Sequence, residues 1–307
     1  MAVTASMVKE LREISGAGMV DCKNALVEAD ADVEKALEIL REKGMAAAVK
    51  KAGRIASEGL CYTYISEDNK TAVIIEINSE TDFVAKNQEF KNFVDMSARH
   101  AASCTAENMD EFFTQPWTFD TSMTVRDALN QKISATGENL NIRRYVKYTA
   151  EEGSVFVSYI HGGGKVAVLL ELTSTVNNAA IAEAGKNICM QIAAMSPQFV
   201  RRSDISDEFI QKEREILTQQ AINEGKPQNI AEKMVEGRLN KELKSFCLLE
   251  QEYVKDSEFT VDGYLKAVGK ENSATVTVKR FVRYETGEGL EKKEENFAEE
   301  VSKAMQG

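Results

Sequence analysis

Two glycine-rich segments of the chain could, by residue type, bind the phosphates of a nucleotide. The run GGGK at 162–165 resembles the end of a phosphate-binding loop, which needs a glycine five residues before its last glycine and Ser or Thr after the lysine. Those positions hold Tyr159 and Val166. The run GAGMVD at 16–21 lacks the third glycine of a dinucleotide fingerprint and does not follow a predicted strand. Neither segment is therefore expected to bind a nucleotide.

Residues that could carry out catalysis or bind a metal are too few or too scattered to form a recognisable site. The chain has two histidines, and it contains no GxSxG, HExxH or EF-hand pattern. Its 49 acidic residues form pairs by chance, and most carboxylates of this kind simply solvate a surface. The residues indicate a protein that is not an enzyme and needs no cofactor or metal.

Cysteine usage and the N-terminal sequence predict a cytoplasmic location. The five cysteines are odd in number and include no CxxC, which favours buried free thiols over disulfides or a zinc site. The N-terminus has no apolar core of a signal peptide, and no uncharged apolar run approaches the roughly 20 residues needed to cross a bilayer. The cysteines are Cys22, Cys61, Cys104, Cys189 and Cys247.

Bulk composition describes an ordinary globular protein with an acidic surface. Hydrophobic residues make up 43% of the 307 positions and charged residues 28%, and the formal net charge is −11. Binding to the phosphate backbone of a nucleic acid requires a basic surface that displaces counterions. Another protein is therefore a better candidate partner than nucleic acid or a membrane.

One short segment is the strongest candidate binding site, because it lies in a loop between a predicted strand and a predicted helix. On the residues alone, an Asp-Phe pair before a helix is most often a helix cap followed by a core aromatic. The segment consists of Thr81, Asp82, Phe83, Val84, Ala85 and Lys86.

An internal repeat predicts the elements that position this segment. Residues 64–77 read YISEDNKTAVIIEI and residues 159–172 read YIHGGGKVAVLLEL, at an offset of 95 residues without a gap. Each copy is expected to form a β-hairpin whose second strand alternates between inward and outward side chains, followed by an amphipathic helix. Two such halves predict an α+β fold with antiparallel sheets. The inward strand positions are Val73, Ile75, Ile77, Val168, Leu170 and Leu172, and the inward helix positions are Phe90, Phe93, Val94, Ser97, Ile181, Ala184, Ile188 and Ile192.

Helical segments flank the repeat on both sides. Residues 1–54 predict three helices, with Ile14 and Met19 inward, Asp32 capping the third helix and Gly44 ending it. Residues 206–224 and 228–250 predict an antiparallel helical hairpin with Ile216 in its apolar stripe. The predicted division is a three-helix domain at 1–54, core halves at 55–139 and 140–202, the helical hairpin at 203–251, a return to the core with a strand at 252–285, and a C-terminal module with a helix bearing Phe297 and Val301 at 286–307.

Five ordered motifs resemble the family of bacterial translation elongation factors Ts, and the resemblance runs essentially end to end. The segment 103–125 carries no signature of the family, so no contact is inferred from it. The motifs are TDFVAKNQEF at 81–90, VKELREISGAGMVDCKNAL at 8–26, GENLNIRR at 137–144 with the hairpin SYIHGGGKVAVLLEL, GKPQNIAEKMVEGR at 225–238 and RFVRYETGEGLEKKEENFAEEV at 280–301.

This resemblance implies a guanine-nucleotide exchange factor that binds the GTPase EF-Tu, promotes GDP release and leaves when GTP binds. The residue matching Phe83 is inserted near the Mg²⁺ site of the GTPase, with Asp82 as its polar neighbour. The resemblance also implies a ubiquitin-associated-like N-terminal bundle that docks on EF-Tu and, in some members, dimerisation through the helical hairpin. Further partner contacts are implied at Gly137, Glu138, Asn139, His161 and Gly162.

Several alternatives remain open at this stage. His161 could be a solvated turn residue, and Arg143 and Arg144 could pair within the sheet instead of contacting a partner. An adaptor that binds ubiquitin-like modifiers through residues 1–54 would not need the segment 81–86 or the duplicated core. A hydrolase would need a nucleophile and a base that the sequence does not display.

Overall fold

The computed structural model describes residues 3–15, 17–225 and 227–292, with 228–233 described by their backbone alone. The fold is α+β, with antiparallel strand pairs in both of its larger sheets, as predicted. The predicted terminal helix with Phe297 and Val301 lies outside the described residues. No helix in the described part of the chain combines the length and apolar character needed to cross a membrane.

The N-terminal bundle consists of α1 (Ala5–Ser15), α2 (Met19–Glu28) and α3 (Val33–Lys51) around a small apolar core. Asp32 caps α3, because its carboxylate accepts hydrogen bonds from the backbone N–H groups of Glu34 and Lys35. Two predictions were wrong here: Ile14 and Met19 are exposed, and α3 continues through Gly44. The likeness to ubiquitin-associated domains stays a prediction.

Gly44 has a packing role instead of ending α3. A Cβ at this position would lie 3.6 Å from the carbonyl oxygen of Asn130, in a helix of the core. This is an ordinary contact distance, so α3 simply packs on the core here, and the helix tolerates the glycine at a modest cost in free energy.

The first half of the core contains one hairpin, four helices, a small two-stranded ribbon and a further strand. The elements are β1 (Glu58–Ile65), β2 (Thr71–Ser79), α4 (Asp82–Lys86), α5 (Gln88–Ser103), α6 (Met109–Thr114), β3 (Pro116–Trp117), β4 (Asp120–Thr124), α7 (Val125–Thr136) and β5 (Asn141–Thr149).

The second half repeats the hairpin, the long helix, the ribbon, the following helix and the last strand, lacks counterparts of α4 and α6 in its described residues, and adds two long helices. The elements are β6 (Ser154–His161), β7 (Val166–Ser174), α8 (Ala179–Met195), α9 (Asp207–Asn223), α10 (Gln228–Phe246), β8 (Glu252–Tyr253), β9 (Asp256–Thr260), α11 (Val261–Glu271) and β10 (Val276–Glu285).

Each half contributes one three-stranded antiparallel sheet, with strand orders β1-β2-β5 and β6-β7-β10. The apolar positions predicted for the helices after each hairpin are all buried. Strand β5 pairs with β2, so residues 141–149 lie in the sheet of the first half. This pairing favours a division after Thr149 over the division proposed after Asn139.

The central strands β2 and β7 are buried on both faces, so the prediction that they alternate between inward and outward side chains was wrong. Val73 and Ile75 pack against the helices of the first half, as expected. Their neighbours Ala72 and Ile74 are also fully buried, in a layer between the two sheets. The sheets therefore pack face to face with helices outside, and a strand between two apolar layers shows no polar face.

The duplication is larger than the two hairpins from which it was predicted. Residues 115–148 match residues 251–284 at a constant offset, and both segments fold as a short ribbon, a helix and the third strand of a sheet. Gln115 corresponds to Gln251, Thr124 to Thr260 and Tyr148 to Tyr284. The helices α9 and α10 are thus an insertion in the second copy, and they are called the helical arm below.

The helical arm is an antiparallel pair of helices with its own apolar core. Leu217, Ala221 and Val235 fill the interface, whereas Ile216, predicted for the apolar stripe, is exposed. Leu248, just beyond the arm, belongs to the core of the second half. Any shortening of the arm must therefore stop before this residue.

Each sheet carries a fully buried glutamate at the equivalent position of its central strand. Glu76 accepts hydrogen bonds from Arg144 Nε at 2.6 Å, from Arg143 Nη1 at 3.1 Å and from the Gly287 N–H at 2.8 Å. Two charged donors and a backbone N–H compensate the cost of burying this carboxylate.

The second copy reproduces this arrangement. Glu171 accepts from Arg280 Nε at 2.6 Å and from Lys279 Nζ at 3.2 Å. Burial alone would raise the pKa of Glu171, but hydrogen bonds from Ser154, Arg280 and Lys279 outweigh burial and hold its pKa below the ordinary value.

The arginines of the two networks also join the two sheets. Arg144 lies 4.0 Å from the ring centroid of Tyr284 in the other sheet, and Arg280 lies 3.7 Å from that of Tyr148. These reciprocal cation–π contacts connect the halves at equivalent positions.

Candidate partner-binding site

The segment Thr81–Lys86 folds as a capped, one-turn helix between a central strand and a long helix. The side-chain oxygen of Thr81 accepts a hydrogen bond from the Val84 N–H at 3.4 Å, which caps α4. Asn87 ends α4 and caps α5 through the Glu89 N–H at 2.7 Å. Ala85 is buried, so one side of α4 is anchored on the first half of the core.

Phe83 points away from that core. It is 82% exposed, more than any other large hydrophobic side chain in the described part of the chain. The interpretation of the Asp-Phe pair as a cap with a core aromatic is therefore wrong, because Thr81 is the cap and Phe83 is unburied. A rigid aromatic ring held in water offers a large apolar area to a partner at little cost in conformational entropy.

Asp82 beside it is half-buried and ionised at neutral pH. A hydrogen bond from Lys86 Nζ at 2.5 Å, with a smaller effect of the charge on Lys165, holds the pKa of Asp82 below its ordinary value. Lys165 follows the glycines of the second hairpin, whose turn packs on Leu60 of β1.

The turn at 161–165 connects β6 to β7 and lies against the first sheet. Its three glycines all have positive φ, and a Cβ on Gly164 would lie 2.5 Å from Leu60 Cδ2. The carbonyl oxygen of Gly164 accepts a hydrogen bond from the Cys61 N–H at 2.8 Å. The glycines thus serve a tight turn that packs closely, and β7 follows them where a phosphate-binding loop needs a helix.

His161 and Gly162 are exposed on this turn. The Nδ1 atom of His161 lies 3.0 Å from the hydroxyl oxygen of Tyr159, within hydrogen-bonding distance. The turn that carries them packs on Leu60 of β1, and α4 also contacts β1. Both segments therefore adjoin the same strand, and their joint role in binding stays a prediction.

Glu138 and Asn139 have a different environment, because their side chains bind to the protein itself, whereas Gly137 is exposed. Gly137 ends α7 in the left-handed conformation, with φ 77°. The carboxylate of Glu138 accepts three hydrogen bonds from Glu80 and Thr81, at the start of α4. The Asn139 side chain donates to the carbonyl oxygen of Arg54 at 2.8 Å. Glu138 thus binds the residues at the start of α4, and contact of residues 137–139 with a partner stays a prediction.

Arg143 and Arg144 are engaged by Glu76, so pairing within the sheet accounts for both of them. The described residues contain no group of His, Cys, Asp and Glu side chains placed to hold a metal ion. All five cysteines are free and buried, and burial raises the pKa of Cys61 to about 12. Burial also lowers the pKa of His100 to about 4.

Comparison with known proteins identifies the family. The family model described as elongation factor TS matches residues 80–288. The chain belongs to the elongation factor Ts family. It is 51% identical to the elongation factor Ts of Clostridium botulinum strain Alaska E43 over 303 residues, which cover 99% of each chain. It is also 51% identical to that of Clostridium tetani strain Massachusetts over 304 residues, 99% of this chain and 100% of the relative.

Membership of the elongation factor Ts family implies a nucleotide-exchange factor for EF-Tu in translation elongation. The matched region begins at Glu80, immediately before α4, and ends at Glu288, beside the buried Glu76 network. Family membership favours nucleotide exchange over the adaptor and the hydrolase that the sequence left open.

Proposed function

We propose that the chain binds EF-Tu·GDP and promotes GDP release by inserting Phe83 near the Mg²⁺ and phosphate site of the GTPase, and that GTP binding then releases the chain. The observation that carries this proposal is the 82% exposure of Phe83 on a helix anchored to the core. The residues Asp82, His161 and Gly162 are proposed as further contacts with EF-Tu.

The energetic requirement of this mechanism is modest. An exchange factor shifts the equilibrium only through its differential affinity for the nucleotide-free and GDP-bound states, and the coupling is reciprocal. A thousandfold weakening of GDP binding needs about 4 kcal/mol of coupling, at about 1.4 kcal/mol per factor of ten. One buried aromatic contact can contribute about 2 kcal/mol. Phe83 and a few neighbouring contacts therefore suffice.

The proposal is tested by measuring the affinity of the chain for nucleotide-free and for GDP-bound EF-Tu. We expect tighter binding to nucleotide-free EF-Tu, by the same factor by which the chain weakens GDP binding. Equal affinities for the two states would contradict the proposal and leave a protein that docks without exchanging nucleotide.

The N-terminal bundle is proposed as a second docking surface on EF-Tu. A hollow of about 380 Å³ lies between α1 and α2, and exposed Met19 and Val20 contribute to its lining. A complete deletion of residues 1–54 would also uncover α7, because Gly44 packs on that helix. Substitutions in the hollow are therefore a cleaner test of docking.

We expect Val20→Asp to weaken the complex with EF-Tu by roughly tenfold, because it places a charge in a contact that becomes buried. The exchange rate at saturating concentration should not change, since the substitution leaves Phe83 and its helix intact. Val254→Asp, at an exposed valine of the second half, is the matched control and should bind normally. Undiminished binding by Val20→Asp would remove the bundle from the interface.

The helical arm is proposed to be peripheral to exchange and to mediate any self-association into a homodimer. Arg214 pairs with Glu236 across the arm, so the chain positions on either side of this pair face each other. Residues 213–237 can therefore be replaced by four glycines that join Lys212 to Arg238. This shortened chain keeps Phe209, Phe246 and Leu248 at the base.

We expect the shortened chain to release GDP from EF-Tu within about twofold of the full chain, because the arm has its own core and its shortening leaves Phe83 and the core of the first half in place. Any dimer seen by sedimentation should be lost. If GDP release collapses in a shortened chain that keeps its circular dichroism spectrum, the arm belongs to the active surface instead.

A further inference from the structure

The exposure of Phe83 raises the question of what holds it in place. Helix α4 has five residues, and a single turn of helix is not stable by itself. A side chain that must displace groups in a partner needs a backbone that does not yield. The support must therefore come from elsewhere in the protein.

Glu138 supplies this support. Its Oε2 atom accepts hydrogen bonds from the Glu80 and Thr81 N–H groups, both at 3.1 Å, and its Oε1 atom accepts from the Thr81 hydroxyl at 2.6 Å. Hydrogen bonds to an ionised carboxylate are stronger than neutral ones. One side chain thus fixes the residue that caps α4, two positions before Phe83.

A second connection ties the same point to the linker that follows the N-terminal bundle. The Asn139 N–H donates to Glu80 Oε1 at 2.6 Å, and Arg54 Nη1 lies 3.4 Å from the same oxygen. The Asn139 side chain in turn holds the carbonyl oxygen of Arg54. The start of α4 is therefore held from the end of α7 and from the linker.

The second copy of the repeat acts as an internal control for this arrangement. Ser273 replaces Gly137 and keeps the left-handed backbone, with φ 51°. The Thr275 N–H donates to Thr175 Oγ1 at 3.1 Å, which matches the contact between Asn139 and Glu80. The turn and one of its contacts are thus retained in both halves.

The glutamate, however, is not retained. Ala274 occupies the position of Glu138, and the sequence Val176-Asn177-Asn178 stands where the first copy has Thr81, Asp82 and Phe83. The turn therefore folds without a carboxylate, and the carboxylate occurs only in the half that carries the exposed phenylalanine. This co-occurrence assigns Glu138 to the site instead of to the fold.

We propose that Glu138 is a positioning residue, which fixes α4 so that Phe83 meets EF-Tu in one orientation. This inference rests on the proposed function of Phe83. It gives Glu138 a role through Phe83, in place of the direct partner contact implied by the family resemblance.

A double-mutant cycle in the full chain tests this role. We expect Glu138→Ala to lower the maximal rate of GDP release roughly tenfold, the loss of about 1.4 kcal/mol. The concentration of chain needed for half-maximal rate should change little, because the docking surfaces are intact. Glu138→Gln keeps the volume of the side chain, and its maximal rate of GDP release should lie between those of Glu138→Ala and the unmodified chain. Glu67→Ala, in the exposed turn of the first hairpin, is the control and should behave as the unmodified chain.

The combination with Phe83→Ala distinguishes the possible outcomes. If Glu138 acts through Phe83, the double mutant should be no slower than Phe83→Ala alone, because coupled residues are not additive. If the two defects multiply in the double mutant, the inference is overturned and Glu138 makes an independent contact. A normal rate in Glu138→Ala, together with a slow rate in Phe83→Ala, would also overturn the inference. A normal rate in Phe83→Ala would instead contradict the proposed function itself.

Discussion

Truncation of Phe83 to alanine is expected to slow GDP release from EF-Tu by roughly thirtyfold or more, which corresponds to about 2 kcal/mol of lost coupling. The melting temperature should hardly change, because the side chain is 82% exposed and its removal leaves no cavity. The slowing should also become smaller when Mg²⁺ is chelated, since the metal contact on which Phe83 acts would already be weakened. Paired measurements of melting temperature and GDP release, with and without chelator, test all three expectations.

Two control substitutions separate a contact residue from a core residue. Phe90→Ala, at a fully buried phenylalanine of the first half, should cost about 3 to 5 kcal/mol of stability yet exchange normally per folded molecule. Phe259→Ala, at a phenylalanine of the second half that is 39% exposed, should change neither the stability nor the exchange rate strongly. If Phe83→Ala behaves as Phe90→Ala should, the assignment of Phe83 to the interface is wrong.

Replacement of the fully buried Glu76 by alanine should strongly lower the stability of the protein. It would leave Arg143, Arg144 and the Gly287 N–H without their shared acceptor inside the protein. Removing one partner of a buried ion pair costs about 3 to 5 kcal/mol. The melting temperature should fall by on the order of ten degrees, given about 2 to 4 degrees per kcal/mol for a chain of this size class.

The duplicated network provides the comparison for this prediction. Glu171→Ala removes the equivalent carboxylate and should also destabilise the protein, but by less, because Arg280 loses its acceptor whereas Lys279 keeps Glu151 at 2.8 Å. Glu67→Ala, in an exposed turn, should melt as the unmodified chain does. A Glu76→Ala variant that melts normally would show that the two arginines find other acceptors without cost.

The sequence was sufficient to predict the hairpins and the long helices after them, because their apolar spacing repeats in two copies. Long-range packing explains the errors. Ile14 and Met19 fit a helical apolar stripe, yet the small bundle has too little core to cover them. Alternation failed for β2 and β7, because a second sheet covers the face that would otherwise meet solvent.

The second part of the repeat could have been found from the sequence. Arg144 and Tyr148 correspond to Arg280 and Tyr284 at the same offset as Gln115 and Gln251. The inserted helical arm makes the offset of this second part larger than the offset of the hairpins. A search at the offset of the hairpins alone therefore misses the second part of the repeat.

The candidate site was predictable only in part. The residues themselves did not determine whether Phe83 is buried, and family resemblance supplied its role. The hydrogen bonds between Glu138 and Thr81 could not be predicted from local sequence patterns, because the two residues are far apart in the chain. The one available signal was the replacement of Glu138 by Ala274 in the half that lacks the exposed phenylalanine.

The central claim is that this chain acts as a catalyst of nucleotide exchange on EF-Tu. Its most direct test is the release of labelled GDP from EF-Tu, in excess unlabelled nucleotide, with the chain present at a small fraction of the EF-Tu concentration. We expect the release rate to rise in proportion to the amount of chain and each molecule of chain to empty many molecules of EF-Tu. An unchanged rate, or a release that stops after one equivalent per chain, would contradict the account.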